Sequence, residues 1–325
     1  MSSSQPLVSV IISTYNSSRF IIETLESIRT QTWSNVELIV TDDCSTDQTV
    51  ALVDNWFNAH REAFSQVELI TSPMNTGVSA NANRGLVVAR GEWIKFLGAD
   101  DTLLPDCITQ NMNVVRLNPD IRVLFSRVHL YLNQFEQSCW LKTIPGTISS
   151  DGIFAEKRTA LSQYKMLLVS DRINFSPSIF INTQTLRSVG GFDEKYRLLE
   201  DYPLWLNLTR NGHKLYYFPE ITVNYRQHEG AINNMVRNYL IKPNYFRTEL
   251  FRKEYIYPYL PWDMQLDQRF VWWVSQLFKG EQMNRNRSIN IFVYIFLTTY
   301  LNPFKYYIFI KKRAIKQLQN QEFYV

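Results

Sequence analysis

The first 100 residues alternate between short apolar runs and segments with helical periodicity, and this alternation restricts the possible folds more than any other feature. Residues 7–13 form a continuous run rich in β-branched side chains, which is typical of a strand buried on both faces of a parallel sheet. Similar runs recur at 36–41, 67–71 and 93–97, with helical patterns between them. The alternation predicts an α/β fold with a mostly parallel sheet and right-handed connections.

The alternation weakens after residue 120, where an extended stretch at 121–132 precedes a polar region at 134–152. Further patterns predict two helices and two short strands, at 158–169, 202–210, 214–218 and 221–226. Beyond these the sequence is helical in pattern, aromatic and finally basic. We therefore expect an α/β domain over residues 1–230, divided near residue 120 into two halves, and a helical region over 231–325.

The charge of the chain is unevenly distributed. The whole chain has a net charge of +4, and the residues from Lys279 onward carry +6, so the first 278 residues carry −2. Nucleic-acid binding depends on clustered Lys and Arg that neutralise phosphates, and the predicted α/β domain has no such excess. We therefore expect no nucleic-acid partner.

Three features of the sequence concern the cellular compartment. The first residues lack the basic start and cleavage site of a signal peptide. The most apolar stretch, 289–301, contains polar residues and falls short of the roughly 20 residues that span a bilayer. Cys44, Cys107 and Cys139 are widely spaced and form no CxxC pair, which favours a reducing compartment. These features predict a cytoplasmic protein without a transmembrane helix.

Polar segments follow four of the predicted strands, at 13–16, 42–47, 73–77 and 98–101. In an open α/β sheet, ligands bind beyond the carboxyl ends of the strands, so these segments predict the position of a site. Asp42, Asp43 and Asp47 have a second interpretation, because Asp after a strand commonly caps the next helix.

Asp100 and Asp101 are less easily explained as helix caps. They follow an apolar strand, where adjacent carboxylates repel each other unless a cation or hydrogen-bond donors offset the charge. Hard divalent cations such as Mn²⁺ and Mg²⁺ bind both carboxylate and phosphate oxygens. The pair therefore predicts a divalent metal cofactor.

The order of these motifs resembles that of the family-2 glycosyltransferases. The matching segments lie at 8–16, 37–47, 75–85, 91–101, 190–194, 200–205 and 225–228. The resemblance implies a GT-A fold, in which a Rossmann-like, mostly parallel sheet is flanked by helices, followed here by a helical C-terminal extension. It also implies transfer of a sugar from a nucleotide-sugar donor, with inversion at the anomeric carbon.

The resemblance implies that the donor contacts nine residues, which are Ser13, Tyr15, Asp42, Asp43, Asn75, Gly77, Asn83, Arg84 and Asp100. Tyr15 would stack on the base, although it could instead be a core aromatic. Asp43 would accept the N–H of uracil, with Asp42 as the alternative acceptor, because a buried acceptor discriminates strongly between bases. The sequence departs from the family at Ala82, where Arg is frequent and Arg84 could substitute, and at Gly98, where many relatives have Asp.

The resemblance also assigns the reacting groups. Asp101 and His228 would bind the divalent ion, and Asp201, supported by Glu200, would be the general base that takes the proton of the acceptor hydroxyl. Asp201 could instead be an acid stabilised by the start of a helix, and His228 a packed histidine. The turn at 190–192 would either contact the acceptor or anchor the core.

We therefore expect a metal-dependent, inverting glycosyltransferase that acts on a glycan or lipid-linked acceptor in the synthesis of a surface polysaccharide. A catalytically inactive glycan- or nucleotide-binding scaffold on the same fold is an alternative, motivated by Ala82 and Gly98. A nucleotidyltransferase is a second alternative, but it would need a basic Gly-rich loop after the first strand, which residues 13–16 lack.

The C-terminal region has a composition typical of an interfacial helix. Residues 289–310 are rich in Phe, Tyr and Ile, and basic residues flank them on both sides. This pattern predicts peripheral contact with the inner face of the cytoplasmic membrane. The alternatives are that these helices cap the catalytic domain or form an interface between two copies of the chain.

Overall fold

The computed structural model of the protein describes residues 5–197, 199–230 and 239–317. The chain forms two compact units. The first consists of Met1–Leu167 and Asp171–His228, and the second of Leu168–Ser170 and Glu229–Val325.

The first half of unit one follows the predicted alternation. Its parallel strands are β1 (Val8–Thr14), β2 (Val36–Asp42), β3 (Gln66–Thr71) and β4 (Trp93–Gly98). The helices between them are α1 (Ile21–Arg29), α2 (Thr49–His60) and α3 (Val78–Val88). All seven residues of β2 are buried, as expected for a strand covered on both faces. The predicted α/β architecture is confirmed.

The second half completes the sheet with shorter and more irregular elements. Its strands are β5 (Thr102–Leu103), β6 (Val123–Leu132), β7 (Trp140–Ile144), β8 (Phe180–Asn182) and β9 (Leu215–Gln227). Its helices are α4 (Cys107–Leu117), α5 (Ala160–Val169), α6 (Thr183–Ser188) and α7 (Asp201–Arg210). Within the described residues the nine strands form one sheet in the order β3-β2-β1-β4-β8-β6-β9-β5, and β7 pairs with β6.

Two sequence predictions for this half are corrected by the pairing with β6. The strands predicted at 214–218 and 221–226 form the single strand β9, which stays paired with β6 across two register shifts. The polar region at 134–152 contains β7, whose residues Trp140, Leu141 and Lys142 are exposed. An exposed strand has no apolar alternation, so its sequence does not reveal it.

The short strand β8 explains how a turn reaches the centre of the sheet. β8 pairs with only three residues of β4 and two of β6, so the ends of those strands separate beyond it. The helical turn Ser176–Ser178 packs against β4 and β6 there. The Oγ of Ser178 accepts the N–H of Ser126 at 3.2 Å, which satisfies a backbone donor of β6.

Unit two is helical. It contains α8 (Glu249–Phe251), α9 (Trp262–Leu277), α10 (Ser288–Ile295) and α11 (Pro303–Gln317). Ile241, Val274 and Phe278 form a small buried core. In the part of the chain that the structure describes, no helix is long and apolar enough to cross a membrane.

Candidate active site

Asp43 organises the end of β2 by accepting hydrogen bonds from three neighbouring residues. Its carboxylate accepts hydrogen bonds from the Oγ1 of Thr76 at 2.6 Å, the N–H of Gly77 at 2.7 Å and the guanidinium of Arg84 at 2.7 Å. Burial by itself would raise the pKa of Asp43, but the bonds from Thr76, Arg84 and Gly77 outweigh it and lower the pKa. Arg84 therefore lies in the predicted donor pocket, whereas Ala82 is buried.

Asp42 and Asp47 fix the loop between β2 and α2. Asp42 accepts the N–H of Ser45 at 2.8 Å, and Asp47 accepts the N–H groups of Thr49 and Ser18 at 2.9 and 3.0 Å. Burial opposes ionisation of Asp47, but the bonds from Thr49 and Ser18 prevail and lower its pKa to about 2. Thr49 begins α2, so the helix-start interpretation holds for Asp47, while the bonds of Asp42 and Asp43 go elsewhere.

The end of β1 offers an exposed ring beside these carboxylates. Tyr15 is 50% exposed, so the alternative interpretation of Tyr15 as a core aromatic is wrong. Ser13 precedes it and is partly buried. The amide of Asn81 donates to the carbonyls of Thr14 and Thr41 at 3.2 and 2.9 Å, which aligns the ends of β1 and β2.

The loop of Asn75 and Gly77 is held by Arg197, a residue that the sequence did not indicate. The guanidinium of Arg197 donates to the carbonyl of Asn75 at 2.6 Å and to its Oδ1 at 3.0 Å. Gly77 has φ +96°, and a Cβ on it would lie 2.8 Å from the carbonyl oxygen of Arg197. Only glycine fits this conformation and this close backbone approach.

Asn83 contacts the turn at 190–192. Its Nδ2 donates to the carbonyl of Phe192 at 2.8 Å, and its Oδ1 accepts the N–H of Phe192 at 2.9 Å. A Cβ on Gly191 would lie 2.6 Å from that Oδ1, so glycine permits the contact. The structure thus gives Asn83 a structural task, and its contact with the donor stays a prediction.

Asp100, Asp101 and His228 meet at the end of β4. Asp101 is buried and accepts the N–H of Arg226 at 2.8 Å, while the Nε2 of His228 lies 3.0 Å from Oδ2 of Asp100. A Cβ on Gly98 would lie 2.7 Å from Oδ1 of Asp100 and 3.4 Å from Oδ2 of Asp101. The carboxylate of Asp100 therefore occupies space that a side chain at position 98 would fill, and the carboxylate of Asp101 lies beside that space.

Arg226 holds this acidic pair in place, and the sequence analysis assigned it no role. Its Nε donates to the carbonyl of Asp100 at 2.7 Å, and its guanidinium forms an ion pair with Glu23. The guanidinium also lies 4.5 Å from the ring centroid of Phe20 and 3.9 Å from that of Phe135. The only sequence signal was an arginine two residues before His228.

The donor atoms around Gly98 fit a divalent ion that a substrate helps to bind. No group of three or more His, Cys, Asp or Glu side chains within the described ranges forms a complete metal site. Burial, followed by the charge of Asp100, raises the pKa of Asp101 well above its usual range, and a cation would offset that repulsion. One or two carboxylates completed by phosphate oxygens are typical of Mg²⁺ sites.

Asp201 is the first residue of α7 and lies among acidic groups. Burial, then the charge of Glu200, raises the pKa of Asp201 well above its usual range; Asp171 adds to this, and a hydrogen bond from Ser176 opposes it. Burial also raises the pKa of Glu200. A carboxylate whose pKa is raised toward neutrality is suited to accept a proton. The helix-start position and this chemistry are compatible.

Lys95 is a buried cation inside β4 that no sequence motif indicated. Its side chain is fully buried, and Nζ donates to the carbonyl of Pro177 at 2.8 Å. Burial lowers the pKa of Lys95, while the charges of Cys107 and Asp101 raise it. Lys95 thus lies near Asp101 and supports the turn whose Ser176 bonds to Asp201. The available signal was a lysine inside an apolar strand.

Comparison with known proteins identifies relatives of this chain. Residues 9–143 match the family model described as Glycosyl transferase family 2. The chain is 29% identical over 276 residues to succinoglycan biosynthesis protein ExoO of Rhizobium meliloti (strain 1021), covering 80% of this chain and 72% of ExoO. It is also 29% identical over 227 residues to the Escherichia coli UDP-Glc:alpha-D-GlcNAc-diphosphoundecaprenol beta-1,3-glucosyltransferase WfaP, covering 70% of this chain and 80% of WfaP.

Two solved structures have a similar fold. S. aureus TarS 1-349 in complex with UDP-GlcNAc has a TM-score of 0.53 at 18% identity, covering 82% of this chain and 80% of that chain. Mannosyltransferase PcManGT from Pyrobaculum calidifontis, in complex with GDP-Man and Mn²⁺, has a TM-score of 0.51 at 16% identity, covering 96% and 76%. The chain spans 60% of another TarS 1-349 structure and 44% of the longer TarS chain.

At these identities the two structures show the fold alone, which is the GT-A fold of nucleotide-sugar glycosyltransferases, as predicted from the sequence. The family match and the two relatives add similarity in sequence to this similarity in fold. Residues 9–143 of the chain belong to glycosyl transferase family 2.

Proposed function

We propose that the protein is an inverting glycosyltransferase that moves one sugar from a UDP-sugar to a hydroxyl group of a glycan or lipid-linked acceptor. The observation that carries the proposal is the group of Asp100, Asp101 and His228 at the end of β4, in a domain that also carries the acidic pair Glu200 and Asp201 at the start of α7. The name of WfaP describes glucose transfer from a uridine nucleotide to a diphosphoundecaprenol-linked sugar. The name of ExoO places it in polysaccharide biosynthesis, which supports the same role here.

The residues of this chain divide the work between donor and acceptor. Tyr15 and Arg84 would hold the nucleotide, with Asp43 keeping the loop of Thr76 and Gly77 in place. Asp201 would remove the proton of the acceptor hydroxyl as that oxygen attacks the anomeric carbon from the side opposite UDP, and the sugar is thereby inverted.

Asp101, Asp100 and His228 are the residues that would hold a divalent ion. When bound, such an ion would offset the negative charge of the departing diphosphate. PcManGT was solved with GDP-Man and Mn²⁺, which supports metal use by proteins of this fold.

The proposal predicts that UDP with Mn²⁺ stabilises the full chain against heat. A ligand at 100 times its Kd adds about 2.7 kcal/mol to the free energy of unfolding, on the order of 5 °C in Tm. Differential scanning fluorimetry with UDP, GDP and ADP, each with and without Mn²⁺, measures the effect. We expect the largest shift with UDP and Mn²⁺ together. The absence of any shift with all three nucleotides would sink the donor assignment.

We also propose that unit two binds an anionic membrane surface through a hydrophobic stripe, defined as Ile289, Phe292, Phe296 and Tyr300. These side chains are 63%, 64%, 42% and 60% exposed. The Phe292 and Phe296 rings stack with centroids 6.1 Å apart, as do those of Phe296 and Tyr300. Residues 288–317 contain five Lys or Arg and no Asp or Glu. Exposed aromatic rings beside an excess of basic residues suit anionic headgroups.

The stripe can be tested with the double variant Phe292→Ser, Phe296→Ser. We expect it to cosediment at least about 10-fold less with phosphatidylglycerol vesicles than the wild-type chain, because it loses two exposed rings that would enter the membrane. Leu117→Ser is the matched control, because Leu117 is 82% exposed on unit one. Equal sedimentation of wild type and double variant would contradict membrane binding. A dimer that the double variant dissociates would instead assign the stripe to a second copy of the chain.

A further inference from the structure

Three side chains on β6 and β9 carry hydrogen-bond donors that no other residue in the described part of the chain uses. The first is Arg127 of β6, whose Nε is buried without a partner. Among the described residues, no hydrogen bond or ion pair engages its guanidinium. A partly buried cation without a hydrogen-bond acceptor destabilises the fold. Binding of an anionic ligand would supply the missing acceptor and would explain why arginine occupies this position.

The second side chain is His129, two residues further along β6. The indole N–H of Trp140 points at its Nδ1 at 3.3 Å, and the Oγ1 of Thr143 lies 2.9 Å from the same atom. An indole nitrogen can only donate, so Nδ1 is the acceptor and the proton of the neutral ring lies on Nε2. Burial, then the charge of Arg127, lowers the pKa of His129, which keeps the ring neutral. Its Nε2–H is therefore a donor, and no described residue accepts it.

The third side chain is Tyr217 of β9, which is paired with Phe125 of β6. Burial raises the pKa of Tyr217, so its hydroxyl stays protonated, and the nearby charge of Arg127 acts against that rise. No described residue is hydrogen-bonded to this hydroxyl. Its ring centroid lies 5.5 Å from that of Phe154, which also lines an open cleft of about 640 Å³.

We propose that Arg127, His129 and Tyr217 form a subsite for a phosphate or diphosphate group of the acceptor. One permanent cation and two neutral donors match a group with several anionic oxygens, and the planar guanidinium pairs well with phosphate. A sugar hydroxyl would satisfy the donors but leave the charge of Arg127 uncompensated. The subsite rests on the proposed function, because it assigns the acceptor of that reaction to the phosphorylated class.

The position of the subsite within unit one agrees with such a role. Phe125, two residues before Arg127, packs edge-on against Trp205 with centroids 5.0 Å apart, and Trp205 lies one turn after Asp201 in α7. At the other end of β6, Tyr131 pairs with Arg226, which bonds to Asp100 and Asp101. Arg127 and His129 thus lie on β6, between the residue that packs against α7 and the residue that pairs with Arg226, and Tyr217 lies on the adjacent strand β9.

The test is isothermal titration of the full chain with inorganic pyrophosphate in metal-free buffer. We expect the wild-type chain to bind, Arg127→Met to bind at least about 10-fold more weakly, and Tyr217→Phe about 3-fold more weakly. Lys142→Met is the matched control, because Lys142 is an exposed, positively charged residue on the neighbouring strand β7. Its substitution should leave the affinity unchanged. Tyr217→Phe keeps its ring, so it carries the test if Arg127→Met fails to fold.

Three outcomes would overturn the subsite. One is equal affinity of wild type, Arg127→Met and Tyr217→Phe. A second is binding that Asp101→Asn abolishes and Arg127→Met leaves intact, which would place pyrophosphate in the donor site. The third is a wild-type chain that binds UDP with Mn²⁺ but not pyrophosphate, which would leave the donor assignment standing. A chain that binds no nucleotide would contradict the proposed function itself.

Discussion

Asp201→Asn is expected to lower the rate of sugar transfer at least about 100-fold while the affinity for the UDP-sugar changes little, since a positioned general base contributes that much. Asparagine keeps the volume of the side chain and can still accept the hydrogen bond from Ser176, but it cannot take a proton. The measurement is turnover beside donor binding, because a folding defect would lower both together.

Glu200→Gln is the matched control for this variant. Glu200 is adjacent, partly buried and also has a raised pKa, but the family resemblance gives it a supporting role. We expect a smaller loss of rate in Glu200→Gln. If Glu200→Gln is inactive and Asp201→Asn transfers sugar normally, the base is Glu200. If both remain active, the acidic pair only begins a helix and the proposed mechanism loses its base.

The assignment of Asp201 also has a pH signature in the wild-type enzyme. The base must be ionised to work, and burial with the charges of Glu200 and Asp171 raises its pKa, so the rate should rise with pH through that raised value. Ser176 donates to the carboxylate and lowers this pKa, so Ser176→Ala should move the rising limb to higher pH. Because Glu200 and Asp201 titrate together, the profile reports the pair.

The sequence was informative about the donor half of the site because the relevant signals there are local. The apolar runs of β1, β2 and β4 are largely buried, and the polar residues at their carboxyl ends must lie at one edge of the sheet. Asp42 and Asp43 could thus be assigned to that edge from their position at the end of β2. Their hydrogen-bond partners could not be assigned, because Asp43 bonds to Thr76 and Gly77 from a different loop.

The missed residues share a different property, which is that their partners are distant in sequence. Arg226 bonds to Asp100 across 126 residues, Arg197 to Asn75 across 122, and Lys95 to Pro177 across 82. Each contact joins the first half of unit one to the second half, whose strands are irregular and include β8, only three residues long. No periodicity in the sequence encodes such pairs, so a lysine in an apolar strand was the strongest hint.

Arg127 and His129 show the same limit at a candidate acceptor site. They lie in a stretch that the sequence correctly predicted as extended, 121–132, but no family motif includes them. Their proposed role follows from the residues that surround them in the fold. Trp140 fixes the tautomer of His129 only because β7 pairs with β6, and β7 was not predicted. The candidate acceptor site in the second half of unit one is therefore defined by tertiary contacts and not by a sequence motif.

Asp101→Asn is the second large effect we expect, and it concerns the metal. Asparagine can still accept the N–H of Arg226, so the strand end should stay folded, but it removes one anionic ligand for a hard cation. The affinity for UDP in the presence of Mn²⁺ should fall at least about 10-fold, toward the value measured without the ion. Titration calorimetry with UDP, with and without Mn²⁺, gives both values.

Asp106→Asn is the matched control, because Asp106 is an exposed carboxylate five residues further along the chain, beyond β5 and directly before α4. It should keep the full dependence on Mn²⁺. His228→Ala should weaken that dependence less than Asp101→Asn, because Asp100 and Asp101 both remain to bind the ion. A wild-type chain whose affinity for UDP is the same with and without Mn²⁺ would remove the metal from the mechanism. In the proposed mechanism, the charge of the departing diphosphate would then have to be offset by Arg84, which lies in the predicted donor pocket and bonds to Asp43 and Thr76.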